Sequence, residues 1–395
     1  MSDYIIRKSI RPLPGKVIKT VPIPKPEVIS GFGSRAEAGA VCARRGFRRA
    51  LLVTDANISR LGYAGKVCDS LSKAGVEFTV FDKIDSEPDC RIIEEGRKAA
   101  VEFEADCIIG LGGGSVMDSC KMIAAASRLR SVPVRRLLLK FLPVPDKTLP
   151  IINIPSTAGT GAEMTVGAVI TGGSRKKSTV IVGLDVTDVI LDSELTVKMP
   201  RPVTAACGID ALSHGLEGAV AAVNTDDEDR WKSLECIRIA LTNLPEVLEH
   251  PDNADARQQL CLAANYGGNA INRQLAGYVH AFAHSIGARY HIPHGNAIAL
   301  CLLPVMKAQR ESCEARLAMI ARHCGLTDRG GITEAADSLF EALESLIKLC
   351  ALPSFGGIPE EDFVPLIKAI NADSINYSAP VTFTDAQIKE ILSTL

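Results

Sequence analysis

The sequence predicts an α/β domain built on a mostly parallel sheet, followed by an all-helical domain. Through the first half of the chain, short apolar runs alternate with helical patterns, as they do in βαβ units. After Pro200 the strand-like runs fade, and amphipathic helical patterns continue to the end. The chain has 395 residues, which is enough for two or three domains. We therefore expect one domain over residues 1–198 and a second over residues 199–395.

The predicted elements follow one another in a regular order. The predicted strands cover residues 50–54, 78–81, 107–111 and 150–154. The predicted helices cover residues 64–73, 90–103, 115–128, 203–220, 230–247 and 256–274. Ligands of parallel α/β sheets bind at the carboxyl ends of the strands. The loops that follow the third and fourth strands are therefore expected to face one cleft.

Composition and charge exclude several classes of protein. Apolar residues make up 47% of the chain and charged residues 23%, which is typical of a globular protein and excludes wholesale disorder. The 44 basic and 46 acidic residues nearly cancel, so nucleic acid is not an expected partner. We find no apolar run long enough to span a membrane and no secretory signal. The twelve cysteines are scattered singly, which favours free thiols in the cytoplasm.

A glycine-rich loop follows the third predicted strand. It reads Gly112-Gly113-Gly114-Ser115 and opens a helix, so backbone N–H groups and the positive end of the helix dipole are available to an anion. It is not a standard dinucleotide fingerprint, because Ser115 replaces the third glycine and no acidic residue follows about 20 positions later. The pattern favours phosphate binding over a simple tight turn.

Two more positions at strand ends are candidates for the same site. The loop at residues 155–163 offers hydroxyl groups that include those of Thr157 and Thr160. Asp55 follows the first predicted strand. Its carboxylate could accept the ribose hydroxyls of an adenosine, or it could cap a helix that begins near Asn57. Spacing alone does not separate these two interpretations.

Histidines and one aspartate form a second candidate site. Asp210 and His214 are four residues apart, as are His280 and His284, so each pair lies on one face of its predicted helix. His294 follows in a loop-like setting. Burying so many polar groups on apolar helices is costly unless something binds them. The pattern predicts a metal site, and one carboxylate with imidazoles suits zinc or ferrous iron. Five candidates remain for about four ligand positions.

Taken together, these motifs resemble those of the iron-containing (group III) alcohol dehydrogenases. The resemblance covers nearly the whole chain and is carried by residues 112–121, 155–163, 191–195, 208–214 and 279–295. It implies a Rossmann-like dinucleotide-binding N-terminal domain, an all-helical C-terminal domain and a cleft between them.

The resemblance also implies roles for single residues. The implied metal ligands are Asp210, His214, His280 and His294. The implied cofactor contacts are Gly112, Gly113, Gly114, Ser115, Asp118, Thr157, Thr160 and, for NAD preference, Asp55. His284 is implied to be catalytic, as a proton carrier beside the nicotinamide and the substrate. The implied cofactors are NAD and a divalent metal, with Fe²⁺ ahead of Zn²⁺.

The resemblance predicts hydride transfer between NAD(H) and a small primary alcohol or aldehyde, in a homodimer or higher homo-oligomer. Residues 376–384 lack the usual Asn-Pro-Arg, and Arg273-Gln274 occupy a stretch that is commonly Asn followed by a small residue, so the substrate is not carried over. Arg273 suggests an aldehyde with an anionic head group, held by a bidentate pair; an exposed helix arginine is the other interpretation. A glycerol-dehydrogenase-like or dehydroquinate-synthase-like enzyme of the same superfamily is the alternative function.

Overall fold

The computed structural model describes Tyr4 and residues 17–84, 88–172, 175–223 and 226–395. These residues form two compact units. The sheet unit comprises Val21–Thr157 and Gly161–Lys198. The helical unit comprises Met199–Leu395, the short segment Ala158–Thr160 and the described residues 17–20.

Strands occur in the sheet unit, in two sheets. The strands of the described residues are β1 (Glu27–Ser30), β2 (Arg49–Thr54), β3 (Glu77–Phe81), β4 (Cys107–Gly112), β5 (Phe141–Pro143), β6 (Ile151–Pro155), β7 (Gly167–Gly172), β8 (Arg175–Val182) and β9 (Val186–Leu191). The larger sheet has the order β1-β9-β6-β4-β2-β3, and all its neighbours are parallel. The smaller sheet has the order β5-β8-β7, with β7 and β8 antiparallel.

Helices cover the larger sheet because its central strands are apolar on both faces. The helices of this unit are α1 (Ala38–Arg45), α2 (Ala56–Arg60), α3 (Tyr63–Lys73), α4 (Cys90–Glu102) and α5 (Gly114–Arg128). Consecutive residues of the central strands, such as Leu51 and Leu52 or Ile108 and Ile109, are fully buried. This is the pattern expected of a parallel sheet packed on both sides. The predicted α/β fold with a parallel sheet is confirmed.

The helical unit is built around one long, buried helix. Its helices are α6 (Arg201–Val220), α7 (Asp227–Glu249), α8 (Ala254–Gln274), α9 (Tyr278–Tyr290), α10 (His294–His323), α11 (Ile332–Cys350), α12 (Phe363–Ser374) and α13 (Asp385–Ser393). Every residue of α6 from Gly208 onward is buried, and α7, α8 and α10 pack against it. Gly208 permits this packing, since a Cβ there would lie 2.5 Å from a methyl carbon of Leu244. None of the described helices is both long and apolar enough to cross a membrane.

Candidate active site

Helix α6 carries three ionisable side chains on one face. Asp210, His214 and Glu217 are spaced by four and then three residues, which aligns them along the helix. Their exposed fractions are 2%, 5% and 2%. Groups of this kind are rarely buried unless they are paired or bind a cation. This face of α6 is therefore the base on which the candidate site is built.

Helix α9 brings His280 to this face through a close backbone contact. The chain enters α9 at Gly277, where a Cβ would lie 2.6 Å from Glu217 Oε1. The amide of Val279 donates to the same oxygen at 2.7 Å, so Glu217 satisfies one of the open N–H groups at the helix start. The other oxygen, Oε2, lies 2.5 Å from His280 Nδ1. Glu217 thereby holds the helix start and orients the His280 ring.

Helix α10 supplies His294 as its first residue. Here too a glycine permits close approach, because a Cβ on Gly295 would lie 2.6 Å from the carbonyl oxygen of Ala206 on α6. His294 Nε2 lies 3.3 Å from Asp210 Oδ1, and its side chain is 40% exposed. The site is therefore buried on the α6 side and open on the His294 side.

Four donor atoms converge around Asp210. Its Oδ1 lies 3.8 Å from His214 Nε2 and 3.7 Å from His280 Nε2. The two Nε2 atoms lie 3.0 Å from each other. Asp210, His280 and His294 present ligand atoms that all lie within 4.8 Å of one another. Donors about 2.1 Å from a tetrahedral ion are separated by about 3.4 Å, so the spacing fits a single shared cation.

The protonation states also suit a cation. Burial, with the neighbouring imidazoles adding to it, lowers the pKa of His214 to about 4 and that of His280 to about 3. Burial opposes ionisation of Asp210, but His214, His294 and His280 outweigh it and hold the pKa of Asp210 well below its usual range. Near neutral pH Asp210 is thus a carboxylate, and His214 and His280 are neutral imidazoles. These are the forms that bind metal.

His284, the fifth candidate, lies beside this set. Its ring centroid is 5.2 Å from that of His294 and 5.7 Å from that of His280. Its Nδ1 faces Asp373 Oδ2 at 3.0 Å, and the side chain is 45% exposed. The structure therefore brings all five candidates together, with His284 on the accessible side.

The glycine loop lies where β4 meets α5 in the sheet unit. Gly112 ends β4, Gly113 precedes α5 and Gly114 is its first residue. A Cβ on Gly112 would lie 2.5 Å from Val116 Cγ2, so the turn requires glycine there. A Cβ on Gly113 would meet Thr157 Cγ2 only at 3.5 Å. The glycine loop and Thr157 are therefore neighbours at the carboxyl ends of β4 and β6, which pair in parallel.

The structure gives several other predicted cofactor residues contacts within the protein. Asp55 Oδ1 accepts hydrogen bonds from the amides of Asn57 and Ile58 at 2.8 and 3.0 Å, so Asp55 caps α2. Asp118 Oδ1 lies 3.0 Å from the Lys121 ammonium, and its Oδ2 accepts from the Val169 amide at 2.9 Å. Asp118 thus ties α5 to β7. Its contact with a cofactor remains a prediction, as does that of Asp55.

The remaining predicted site residues are Ser115, Thr160 and Arg273. Ser115 lies in the first turn of α5, where its carbonyl accepts from the Ser119 hydroxyl at 2.7 Å. Thr160 belongs to the segment Ala158–Thr160 of the helical unit. Arg273 lies near the end of α8, and its Nη1 donates to the carbonyls of residues 18 and 19 at 2.7 and 3.2 Å. Arg273 therefore binds a backbone segment of its own unit.

Sequence reasoning missed three residues of the site. Glu217 could have been found, because it is seven residues after Asp210 and three after His214, on the face already identified. Asp373 and Tyr377, which surround His284 Nδ1, gave no such signal. They come from a distant part of the sequence and reach His284 only through the packing of α9 and α12.

Comparison with known proteins agrees with the fold. The family model for iron-containing alcohol dehydrogenase matches residues 24–192, and the model for the C-terminal region of the Fe-containing alcohol dehydrogenase family matches residues 204–395. Lactaldehyde reductase of Escherichia coli is 31% identical over 89% of this chain and 93% of its own length. NAD-dependent methanol dehydrogenase of Bacillus methanolicus is 31% identical over 93% of this chain and 97% of its own length.

Solved structures show the same similarity. A 1,3-propanediol oxidoreductase superposes with a TM-score of 0.88 at 27% identity, over 95% of this chain and 99% of that one. Sulfoacetaldehyde reductase from Bifidobacterium kashiwanohense, in complex with NAD⁺, superposes with a TM-score of 0.86 at 25% identity, over 95% of this chain and 98% of that one. This chain therefore belongs to the iron-containing alcohol dehydrogenase family and is an oxidoreductase that acts on CH–OH groups.

Proposed function

We propose that the protein catalyses reversible hydride transfer between NAD(H) and a small primary alcohol or aldehyde, with a divalent metal in the helical unit. Fe²⁺ is the metal we favour and Zn²⁺ is the alternative. The observation that carries the proposal is the convergence of donor atoms around Asp210, where two histidine Nε2 atoms lie 3.0 Å apart. Two unprotonated ring nitrogens at that distance repel each other through their lone pairs unless a proton or a cation lies between them.

The proposed metal ligands are one carboxylate and three imidazoles, from Asp210, His214, His280 and His294. A divalent ion held there supplies Lewis acidity toward the oxygen of the alcohol or aldehyde. Glu217 fixes the ring of His280 through Nδ1, which leaves Nε2 as the ligating atom. The exposed side of His294 provides the route by which a small substrate reaches the site.

The proposed cofactor is NAD(H), held by the sheet unit. The glycine loop leaves the backbone amides at the start of α5 open to a pyrophosphate, and the helix dipole favours a negative charge there. Thr157, next to Gly113, adds a hydroxyl at the neighbouring strand end. We keep Ser115, Asp118, Thr160 and Asp55 as proposed contacts. The bonds of Asp118 to Lys121 and Val169 also tie α5 to β7.

The proposed catalytic residue is His284. A neutral imidazole has one nitrogen that donates and one that accepts a hydrogen bond, and this one is exposed beside the proposed ligands His280 and His294. In alcohol oxidation it takes the hydroxyl proton while the hydride passes to NAD⁺, and in aldehyde reduction it returns a proton to the oxygen. The proposed substrate class is a small primary alcohol or aldehyde.

We propose a cytoplasmic location and a homodimer or higher homo-oligomer. The twelve cysteines are all free thiols, which is typical of a reducing compartment. β1 lies at an edge of the larger sheet, and an exposed edge strand can pair with another chain.

The test is metal analysis of anaerobically purified protein, combined with NADH oxidation over a panel of small aldehydes. We expect about one divalent ion per chain and net NADH turnover with at least one simple aldehyde. The Asp210→Asn variant should lose both the bound metal and the NADH turnover. The His323→Gln variant, which lacks an imidazole paired with Glu235, should keep the metal and the turnover. Protein that binds iron and NADH but turns over no simple aldehyde would contradict the proposed reaction and favour cyclase-type chemistry.

A further inference from the structure

A cluster of three polar side chains lies next to the proposed metal ligands. His284 is on α9, Asp373 is at the end of α12, and Tyr377 follows in the loop after α12. Asp373 Oδ2 lies 3.0 Å from His284 Nδ1 and 3.1 Å from the Tyr377 hydroxyl. The hydroxyl lies 3.2 Å from Nδ1. The three atoms form a nearly equilateral triangle.

Only one placement of the hydrogens lets all three groups of the triangle form hydrogen bonds. A carboxylate oxygen only accepts hydrogen bonds, and a tyrosine hydroxyl has one hydrogen to donate. If His284 Nδ1 carried no hydrogen, its lone pair would face the lone pairs of Asp373 Oδ2 at 3.0 Å. If Nδ1 carries the hydrogen, Oδ2 receives two hydrogen bonds, one from His284 and one from Tyr377. The hydrogen-bond partner of one ring nitrogen determines whether the other nitrogen carries a hydrogen. With the hydrogen on Nδ1, Nε2 of the neutral ring is left as an acceptor.

Tyr377 stabilises this arrangement by holding the carboxylate. Burial, with the Asp373 carboxylate adding to it, raises the pKa of Tyr377 well above its ordinary value, so the hydroxyl keeps its proton and remains a donor. The His284 side chain is 45% exposed. Exposed side chains lose rotamer entropy when they are fixed. A partner that is itself anchored offsets this loss better than a mobile carboxylate would.

The orientation of His284 matters because of its neighbours. Its ring stacks on His294 with an interplanar angle of 28° and meets His280 edge-on at 76°. A change of rotamer would move the imidazole away from both. Tyr377 also lies in residues 376–384, the segment that lacks the Asn-Pro-Arg of the family pattern.

We propose that Asp373 and Tyr377 are positioning residues that hold His284 in one rotamer and in the tautomer with hydrogen on Nδ1, so that Nε2 stays an acceptor beside the metal ligands. The inference rests on the proposed function, since it assumes that His284 exchanges a proton with the substrate oxygen. Asp373 and Tyr377 themselves touch neither substrate nor cofactor in this account.

The first test is spectroscopic and does not depend on turnover. Full-length protein labelled with ¹⁵N-histidine is examined metal-free and with zinc, and the His284 signals are assigned by comparison with His284→Gln. In the wild type we expect the ¹⁵N shifts of a ring with hydrogen on Nδ1. In Asp373→Asn, the side-chain amide can donate to Nδ1, so the signals should move toward the Nε2–H tautomer. The Tyr377→Phe variant should show a mixture of the Nδ1–H and Nε2–H tautomers of His284.

The second test separates positioning from folding. For aldehyde reduction we expect Asp373→Asn to lower kcat about tenfold or more and Tyr377→Phe to lower it about threefold, a part of the 10²–10⁴-fold that acid–base catalysis contributes. The KM for NADH should change less than about twofold, because binding of the cofactor is not altered. The matched control is Tyr290→Phe, which removes another tyrosine–carboxylate contact of α9, to Asp362 at 2.5 Å.

The outcomes distinguish this inference from the proposed function. If the His284 signals of Asp373→Asn match those of the wild type, the positioning role is wrong. If they move as expected but no aldehyde supports NADH turnover in any variant, the proposed reaction fails while the tautomer assignment stands. Equal losses of kcat in Tyr290→Phe and Tyr377→Phe would show a general effect on α9 and would overturn the role of Tyr377.

Discussion

The Glu217 carboxylate contacts the His280 ring at Nδ1, the nitrogen that faces away from Asp210. The same carboxylate accepts the amide of Val279, so one side chain both begins α9 and sets the orientation of its histidine. A carboxylate behind a ligating imidazole fixes the tautomer and raises the basicity of the ligand. Glu217 is therefore expected to control how tightly a metal is held.

Glu217→Gln should weaken metal binding by about 10- to 100-fold. The amide can still accept from Val279 with its oxygen, but its nitrogen then faces His280 Nδ1 and opposes the Nδ1–H tautomer. The measurement is metal content during competition with a chelator. Glu235→Gln is the matched control, since Glu235 also pairs with a histidine, His323, at 2.8 Å but lies outside the Asp210 cluster. Equal retention in both variants would contradict the prediction.

Two glycines of the same loop should respond differently to alanine. Gly112→Ala places a Cβ 2.5 Å from Val116 Cγ2, and such overpacking costs about 1–3 kcal/mol, so its Tm should fall. Gly113→Ala meets its nearest neighbour only at 3.5 Å, and its Tm should stay close to that of the wild type. Its methyl group nevertheless occupies space that a pyrophosphate needs to approach the backbone.

NADH titration checks the second half of this prediction. We expect Gly113→Ala to raise the Kd for NADH about tenfold, which corresponds to about 1.4 kcal/mol. A stable Gly113→Ala protein with an unchanged Kd would remove the glycine loop from the cofactor site.

The ion pair of Arg35 with Glu194 predicts a loss of stability in acid. The Arg35 guanidinium, assisted by Lys66, lowers the pKa of Glu194 to about 2. Because this pKa lies below that of the unfolded chain, the stabilisation is present above about pH 4.5 and is lost as the pH falls toward about 2. Glu194→Gln should therefore be less stable than the wild type at pH 6, on the order of 1 kcal/mol, and the difference should shrink in acid.

Urea unfolding at several pH values measures this effect. Glu77→Gln serves as the control, because the Glu77 side chain is 73% exposed and lies 4.0 Å from its Arg49 partner. A Glu194→Gln deficit that stays constant from pH 6 to pH 3 would show that the ion pair is not its cause.

Arg273→Ala should affect stability more than substrate preference. The change removes the hydrogen bonds from Nη1 to the carbonyls of residues 18 and 19, each worth about 1 kcal/mol. The ratio of kcat/KM between anionic and neutral aldehydes should then stay unchanged. Arg273→Lys, which keeps a cation, provides the comparison. A preference for anionic aldehydes that disappears in Arg273→Ala and persists in Arg273→Lys would restore the head-group hypothesis.

The sequence predicted four strands of the larger sheet, but among the described strands it missed β1, the buried interior strand β9 and the whole smaller sheet. The predicted strands correspond to β2, β3, β4 and β6, whose apolar runs are buried on both faces or pair with such strands. β1 was missed because it has four residues and is largely exposed. The β5-β8-β7 sheet was missed because β8 begins with Arg-Lys-Lys and β5 has only three residues. Pairing between distant segments, rather than local pattern, makes these strands.

The site shows the same division between local and distant information. The i,i+4 pairs on α6 and α9 were visible in the sequence, and the structure brings them together around Asp210. The partners of His284 were not visible, because Asp373 and Tyr377 are 89 and 93 residues away from it. A helical period reveals what one helix presents, but it does not reveal which side chains a second helix brings to it.

The spacing of Asp210, His214 and Glu217 along α6 also limits how this protein can change in length. One residue added between positions 210 and 217 would rotate everything after it by about 100° around the helix axis and turn Glu217 away from α9. Between α10 and α11, the exposed stretch at residues 328–331 carries no such constraint and can take extra residues without disturbing the helical phase.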